Sequence, residues 1–170
     1  MDDTNKLLSE SEINAEADRL GARGVLMAEV IRDTREGPKV IARTCAFNTV
    51  LNTGKKATWR VSAGINSNNW DQGRIGTSSQ AITSAQTNLT TPVTGTLHTV
   101  SVKTLSGRTL QLVWSYASGA GTKSATIKEA VILNQNTSPG GSALCRVLLS
   151  PTVTKTTADK LKLTYQVRIT

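Results

Sequence analysis

The final stretch of the chain has the most regular alternation of apolar and polar residues. From residue 160 to residue 170, every second side chain is apolar: Leu161, Leu163, Tyr165, Val167 and Ile169. Because successive side chains of a strand point to opposite faces, this spacing predicts a half-buried strand with a polar, cationic outer face. A shift of one residue would bury the charges, so the pairing register is tightly specified.

Shorter alternating stretches precede this strand and are separated by turn-forming residues. They predict strands at 24–33, 39–47, 57–63, 97–105, 109–116, 125–133 and 143–149. We expect Pro151 to end the last of these, since proline cannot donate a hydrogen bond to a neighbouring strand. About eight strands at such spacings indicate an all-β fold, an antiparallel β-sandwich for which a jelly roll is the expected topology.

The first 23 residues have a different pattern and are predicted to form a short acidic arm outside the sandwich, which spans 24–170. Ser9 and Glu12 have the spacing of a capping box, and we expect a short helix over 10–20. Its apolar stripe is too short to hold a helix alone in water, so a partner must order it. The arm side chains expected to contact that partner are Leu7, Leu8, Ile13 and Leu20.

A long stretch without periodicity, residues 64–91, is rich in Asn, Ser, Gly and Gln. A loop of this length within a compact domain is usually functional, so we predict an interaction loop here. Trp70 stands in its middle, and an exposed tryptophan is a candidate anchor for a partner. Arg74 is grouped with it as a second partner-binding candidate. The alternative is that Trp70 folds back and caps the sandwich.

Charge is divided unevenly along the chain. Residues 1–18 carry six acidic side chains and one lysine, a net charge of −5, whereas residues 19–170 carry 19 Lys and Arg against six acids, a net charge of +13. An acidic arm on a cationic body favours head-to-tail or arm-exchange assembly, because unlike patches attract each other. A soluble tail on a basic domain is the alternative. The cations are spread singly and aromatics do not interleave with them, so we expect no specific nucleic-acid binding.

The residues that carry catalysis or bind metals are scarce. His98 is the only histidine, Cys45 and Cys145 are the only cysteines, and no Gly-x-Ser-x-Gly elbow occurs. We therefore predict a protein that is not an enzyme and has no metal or other cofactor, with both thiols reduced and buried. Alternation places Glu129 on an inner face, where Arg146 is the natural cationic partner. We expect that pair to be structural.

Several short motifs occur in the order in which a known protein family has similar ones: Arg74-Ile75-Gly76-Thr77, Ile127-Lys128-Glu129-Ala130, Leu144-Cys145-Arg146-Val147 and the run 150–165. Together they resemble a family of small virion structural proteins of tailed bacteriophages. The resemblance covers residues 71–170, and the preceding part more loosely. The chain departs from the family where Val131-Ile132-Leu133 replaces Gly-Leu-Phe and where Tyr165 replaces a common Trp.

The resemblance implies a virion protein assembled in the host cytoplasm. The expected role is a capsid cement or decoration protein that bridges and stabilises neighbouring capsid subunits. Its expected partners are the major capsid protein or other virion proteins, and it is expected to be a homo-oligomer, with a trimer favoured.

A neck, collar or tail adaptor is the alternative role. A further one is a carbohydrate-binding sandwich for host attachment, in which Trp59, Trp70 or Tyr116 would stack on sugars. No apolar run has the length of a membrane span, so no membrane partner is expected.

Overall fold

A computed structural model describes residues 24–51, 70–107, 109–119, 124–134 and 143–168. The arm at 1–23, its helix at 10–20 and the strand predicted at 57–63 lie outside the described residues. The strands are β1 (Gly24–Thr34), β2 (Gly37–Val50), β3 (Trp70–Gly76), β4 (His98–Thr99), β5 (Val102–Ser106), β6 (Thr109–Tyr116), β7 (Ala125–Asn134), β8 (Ala143–Lys155) and β9 (Asp159–Arg168).

The strands form one antiparallel sheet in the order β4-β3-β7-β8-β2-β1-β9-β6-β5. The sheet curls, so that a front half (β2, β1, β9, β6, β5) faces a back half (β4, β3, β7, β8 and the end of β2) across one core. β2 belongs to both halves, because residues 37–47 pair with β1 and residues 48–50 pair with β8. The predicted all-β antiparallel sandwich is confirmed.

The two outer ends of the sheet are joined by one short segment of chain, residues 98–106. His98 pairs with Gly73 of β3 in the back half, and Val102 pairs with Val113 of β6 in the front half. The predicted jelly-roll topology is not confirmed. Strands that are consecutive in the chain lie side by side in four places, β1–β2, β3–β4, β5–β6 and β7–β8.

The main core lies between the two halves and contains the inward row of the closing strand. Leu161, Leu163 and Tyr165 of β9 are fully buried, as their alternation predicts. Each contributes roughly 1.5–3 kcal/mol of hydrophobic free energy before conformational entropy is subtracted. β9 lies between β1 and β6, so it is the central strand of the front half.

The predicted loop at 64–91 contains a strand, because residues 70–76 form β3 between β7 and β4. The sequence pattern did not predict this strand, because a glycine, Gly73, occupies one of its inward positions. A Cβ atom on Gly73 would overlap the buried indole of Trp114 from the opposite half. The indole of Trp114 occupies the part of the core that a side chain at position 73 would otherwise fill. β3 therefore lacks the apolar alternation that marks the other strands.

Pro151 does not end β8, which continues to Lys155 through a cis peptide bond between Ser150 and Pro151. The register shows where the proline is accommodated: Glu129 pairs with Leu148 and Ile127 pairs with Val153, so that Lys128 alone faces residues 149–152. Proline is tolerated in a strand at such a bulge because no ladder hydrogen bond is needed from its nitrogen. The closing strand is described as far as residue 168.

Candidate interaction surface

The predicted partner-binding residues fall into two groups. Those of the arm lie outside the described residues: Leu7, Leu8, Ile13 and Leu20. Trp70 begins β3, pairs with Asn134 and packs half-buried against the main core, which agrees with the alternative that it caps the sandwich. Arg74 lies in the same strand opposite Val131, and its Nε has no hydrogen-bond partner among the described residues. Trp70 and Arg74 thus belong to a strand of the sandwich.

The structure brings the predicted pair of Glu129 and Arg146 together in a fully buried site. Nη2 of Arg146 lies 2.6 Å and its Nε 2.7 Å from Oε2 of Glu129. The carboxylate also accepts hydrogen bonds from the backbone N–H groups of Ser78, Thr90 and Thr91, at 3.4, 3.4 and 3.0 Å. We call this ion pair the clamp, because it ties two strands of the back half to the segment between β3 and β4.

That segment, residues 77–91, is named the strap. Gln86 accepts a 2.8 Å hydrogen bond from Nη1 of Arg146, so the arginine holds the strap at a second point. Ile82 and Leu89 of the strap pack on a second, smaller core on the outer face of the back half, with Leu51, Val131, Leu133 and Ala143. The strap therefore covers an apolar outer face, and the loop predicted from its polar composition is fixed by buried contacts.

The bulge at Lys128 decides where Glu129 points. Ile127 faces the main core, whereas Glu129 shares a face with Val131, and that face lies under the strap. The expectation that Glu129 lies on the inner face is therefore wrong: it is buried on the outer face of the back half. Simple alternation gave the wrong face because a bulge inserts an irregular step into the period of two.

Aromatic side chains line the seam where the segment 98–106 joins the two halves. Trp114 donates from Nε1 to the hydroxyl of Tyr116 at 3.2 Å, and that hydroxyl donates to the carbonyl of Thr96 at 2.8 Å. Burial raises the pKa of Tyr116 far above its usual value. The exposed ring of His98 contacts Tyr116, with 4.5 Å between ring centroids. The Tyr116 ring is therefore part of the core and does not offer a face to a sugar.

The two cysteines are free and lie in different environments. Cys145 is buried in the main core, where desolvation raises its pKa to about 11. Cys45 is half-buried on β2, and desolvation raises its pKa as well.

Within the described ranges, no group of three His, Cys, Asp or Glu side chains is placed to hold a metal ion. No helix in the described part of the chain has the length and apolarity that a membrane span requires.

The corner between β8 and β9 is built around a buried carboxylate. Asp159 accepts a 2.7 Å hydrogen bond from Nε of Arg32 and a 2.6 Å hydrogen bond from the hydroxyl of Thr156. The bond from the Arg32 guanidinium holds the pKa of Asp159 well below its usual range, and the bonds from Thr156 lower it further. This carboxylate fixes the turn that starts the closing strand.

The outer face of the front half carries apolar side chains on both sides of its central strand, β9. Met27 pairs with Cys45 on one side and with Thr164 of β9 on the other, and Thr164 in turn pairs with Val113. We name this set the front band: Val25, Met27, Cys45, Phe47, Val102 and Val113. Phe47 is 36% and Val102 45% exposed. Val25 is only 6% exposed, and Phe47 and Val102 lie on strands at opposite sides of the front half, so the front band consists of two apolar groups separated by polar side chains of β9.

Charged side chains border the front band in the next row of the same face. Glu29 pairs with Arg43 on one side, at 2.6 Å, and with Lys162 on the other, at 3.7 Å. The side chain of Glu29 is only 8% exposed, whereas that of Lys162 is 44% exposed. Since the carboxylate lies beneath its two partners, the cations are the charges that this border presents to a contacting molecule.

Comparison with known proteins gives no relative. No family model, no curated protein and no solved structure matches this chain.

Proposed function

We propose that this chain is a structural protein of a tailed-bacteriophage virion, a capsid cement or decoration protein that bridges neighbouring capsid subunits. The observation that carries the proposal is a group of large apolar side chains at the surface of the sandwich: Ile41, Phe47, Leu97, Val102 and Leu105 are each more than a third exposed. Three of them, Leu97, Val102 and Leu105, lie in or next to the segment 98–106 that joins the two outer ends of the sheet, and exposed apolar side chains that lie together are candidates for contact with other proteins.

Two further features support a bridging role. The strap and its clamp fasten the back half with a buried ion pair and a second core, which gives a rigid body on which contact surfaces keep fixed positions. The chain also has two regions of opposite charge, −5 in residues 1–18 and +13 in residues 19–170. Oppositely charged regions steer subunits into one relative orientation and so favour ordered assembly.

The proposed partners are the major capsid protein or other virion proteins, and the proposed site of action is the virion. Leu7, Leu8, Ile13 and Leu20 are the proposed contacts of the arm. Trp70 and Arg74 are assigned only a supporting role, because the first packs on the core and the second lies half-buried in β3.

Particle binding after removal of residues 1–20 tests this proposal. The shortened chain and the full chain are each incubated with particles purified from a phage that lacks the protein, and bound protein is measured after sedimentation. We expect the shortened chain to keep the β-type circular dichroism spectrum of the full chain and to lose binding. Full binding of the shortened chain would contradict the role of the arm, and no binding of either chain would contradict the role in the particle.

A neck, collar or tail adaptor is the alternative place in the virion, and it differs in copy number from a decoration protein. Rings at the neck and tail hold few copies, whereas a capsid surface repeats its binding site over the whole shell. The carbohydrate-binding alternative is less well supported: among its three aromatic candidates, Tyr116 is buried and Trp70 half-buried, and Trp59 lies outside the described residues.

A further inference from the structure

The strand β5 forms one of the two outer ends of the sheet. It pairs with β6 along its whole length, from Val102 with Val113 to Ser106 with Thr109, without a bulge. No described strand pairs with its other edge, and all five of its residues are exposed. A strand that is paired on one side only leaves a row of backbone N–H and C=O groups facing outward, so this edge can accept a further strand.

The chain on either side of β5 leaves this edge open. Before β5, the N–H groups of Val100 and Ser101 donate to the carbonyls of Asp71 and Val113, at 2.7 and 2.8 Å, which ties the incoming chain to the sandwich. After β5, Gly107 takes a left-handed conformation, with a φ of 55°, and turns the chain back into β6. The strand at the opposite end of the sheet, β4, has only two residues and is a much shorter template.

The side chains of β5 do little to discourage pairing. Proline, a bulge or several charges usually protect an edge strand, whereas β5 has Lys103 as its only charged residue. Val102 and Thr104 are β-branched, which suits an extended strand. Leu105 pairs with Leu110 on the core side of the sheet, yet 65% of it is exposed. A strand added beside β5 would cover this leucine.

The sequence of β5 favours a second β5 as the added strand. An antiparallel pair with a two-fold axis at Thr104 pairs all five residues and sets Lys103 opposite Leu105 of the second copy. An axis at Lys103 would pair only residues 102–104 and would set the two lysines directly opposite each other, which is unfavourable. The longest register therefore also keeps the charges apart, and the edge is self-complementary, as a two-fold contact requires.

This register covers the exposed leucine of each copy. Opposite residues of an antiparallel pair have their side chains on the same face, so the aliphatic part of Lys103 lies beside Leu105 of the second copy. Thr104 lies opposite its own equivalent, and cross-strand threonine pairs are favourable. Because the axis is perpendicular to the sheet, both cores lie on the same side, and the five strands of each front half join in one sheet of ten strands, which is within the usual size.

We propose that β5 binds the β5 strand of a second copy of this chain, in an antiparallel pair centred on Thr104. This inference rests on the proposed function in taking the exposed apolar residues of the segment 98–106 as a contact surface, and it names a partner for that surface. Five residues from each copy make a small contact, so association of the isolated protein is weak. On a particle that holds copies side by side, the high local concentration strengthens the same contact.

Disulfide trapping tests both the contact and its register. Thr104→Cys, Val102→Cys and Ser106→Cys are prepared as separate full-length proteins that also carry Cys45→Ser, and the remaining thiol, Cys145, is buried. Each protein is oxidised with copper phenanthroline alone. The Val102→Cys and Ser106→Cys proteins are also oxidised in an equal mixture, and linked dimers are identified by mass spectrometry.

We expect Thr104→Cys to form linked dimers, because position 104 lies opposite itself. Val102→Cys and Ser106→Cys should link to each other in the mixture and rarely to themselves, since like positions are offset by about 14 Å along the strands. The matched control is Thr126→Cys, an exposed position on the back half. Linking of Thr104→Cys no more frequent than in this control would overturn the proposal, and it is the result expected if β5 accepts a strand of a different protein. Equal self-linking at all three positions would overturn it as well, because the contact would then have no fixed register.

Sedimentation equilibrium gives a second readout, which depends on the sign of an added charge. Leu105→Lys sets a cation opposite Lys103 of the second copy, whereas Leu105→Glu sets a carboxylate there. We expect Leu105→Lys to weaken self-association about tenfold and Leu105→Glu to retain or strengthen it. Ile41→Lys, at an exposed apolar position of β2, is the matched control and should leave association unchanged. Equal weakening by both changes at Leu105, or a wild-type chain that stays monomeric at about 1 mM, would overturn the proposal.

These experiments use the isolated protein, and the particle-binding experiment uses virions, so that the two proposals can fail separately. Absence of the link at position 104 with particle binding retained would remove the second-copy contact and leave the decoration role standing. A link in the expected register without particle binding would do the reverse.

Discussion

Neutralising Glu129 tests most directly whether the clamp holds the strap in place. Glu129→Gln keeps the size and shape of the side chain and removes its charge. Arg146 then remains fully buried opposite a neutral amide, while the backbone N–H groups of Thr90 and Thr91 lose a charged acceptor. The change acts within the clamp, where neither side chain is exposed to solvent.

The expected cost follows from the burial of both partners. Removal of one member of a buried ion pair leaves an uncompensated charge and typically costs about 3–5 kcal/mol. That is a large part of the roughly 5–15 kcal/mol by which a domain is stable. Replacement of both partners by apolar residues of similar size, Glu129→Leu with Arg146→Met, should cost clearly less than the sum of the single changes, because no charge is then buried alone.

The assay combines global and local measurements. Urea unfolding followed by circular dichroism gives the change in the free energy of unfolding from the shift in midpoint. Hydrogen exchange of the amides of Ser78, Thr90 and Thr91 reports whether the strap is released before the sandwich unfolds. Glu36→Gln, which removes an exposed carboxylate in the turn between β1 and β2, is the matched control and should change stability by less than about 0.5 kcal/mol.

Glu129→Gln must lower stability by several times the effect of the control, and the strap amides must lose protection. If the variant costs no more than Glu36→Gln and the strap amides stay protected, the clamp does not hold the strap. Fully additive single and double changes would show that the two side chains act independently.

Three further predictions concern other parts of the sandwich. Gly73→Ala should destabilise the protein by about 1–3 kcal/mol in urea unfolding, because its Cβ would overlap the indole of Trp114; an unchanged midpoint would contradict this packing. Asp159→Asn should lower stability at pH 7, and the loss should shrink below about pH 4, since a carboxylate with a depressed pKa stabilises only while it is ionised; a loss that is constant with pH would contradict it. A thiol reagent should modify Cys45 alone in the native protein and both cysteines after unfolding; rapid reaction of Cys145 in the native state would contradict its burial.

The strands that could be predicted from the sequence are those whose inward row is made of their own apolar side chains. β9 is the plainest case, and its inward residues Leu161, Leu163 and Tyr165 are all buried. β3 escaped prediction because Gly73 leaves its share of the core to Trp114 from the other half of the sheet. Such a contact joins residues far apart in the chain, and a local pattern contains no sign of it.

The pair of Glu129 and Arg146 could likewise be predicted only in part from the local sequence pattern. Glu129 and Arg146 could be paired from the sequence, since a lone acid in an apolar strand needs a cationic partner, and the structure places them 2.6 Å apart. The face on which they lie depends on the bulge opposite Pro151, which the sequence pattern does not reveal. Their contact with the strap could not be predicted either, because the polar composition of the strap is typical of an unattached loop. The front band emerges only from the register of four strands, because its members are scattered along the chain.

The number of copies per particle tests the central claim most directly. Purified virions are digested, and peptides of this chain are quantified by mass spectrometry against peptides of the major capsid protein. A decoration protein that bridges capsid subunits predicts hundreds of copies, in a fixed ratio to the capsid protein. About a dozen copies would place the chain at the neck or tail instead. Absence of the chain from purified virions would contradict the claim altogether.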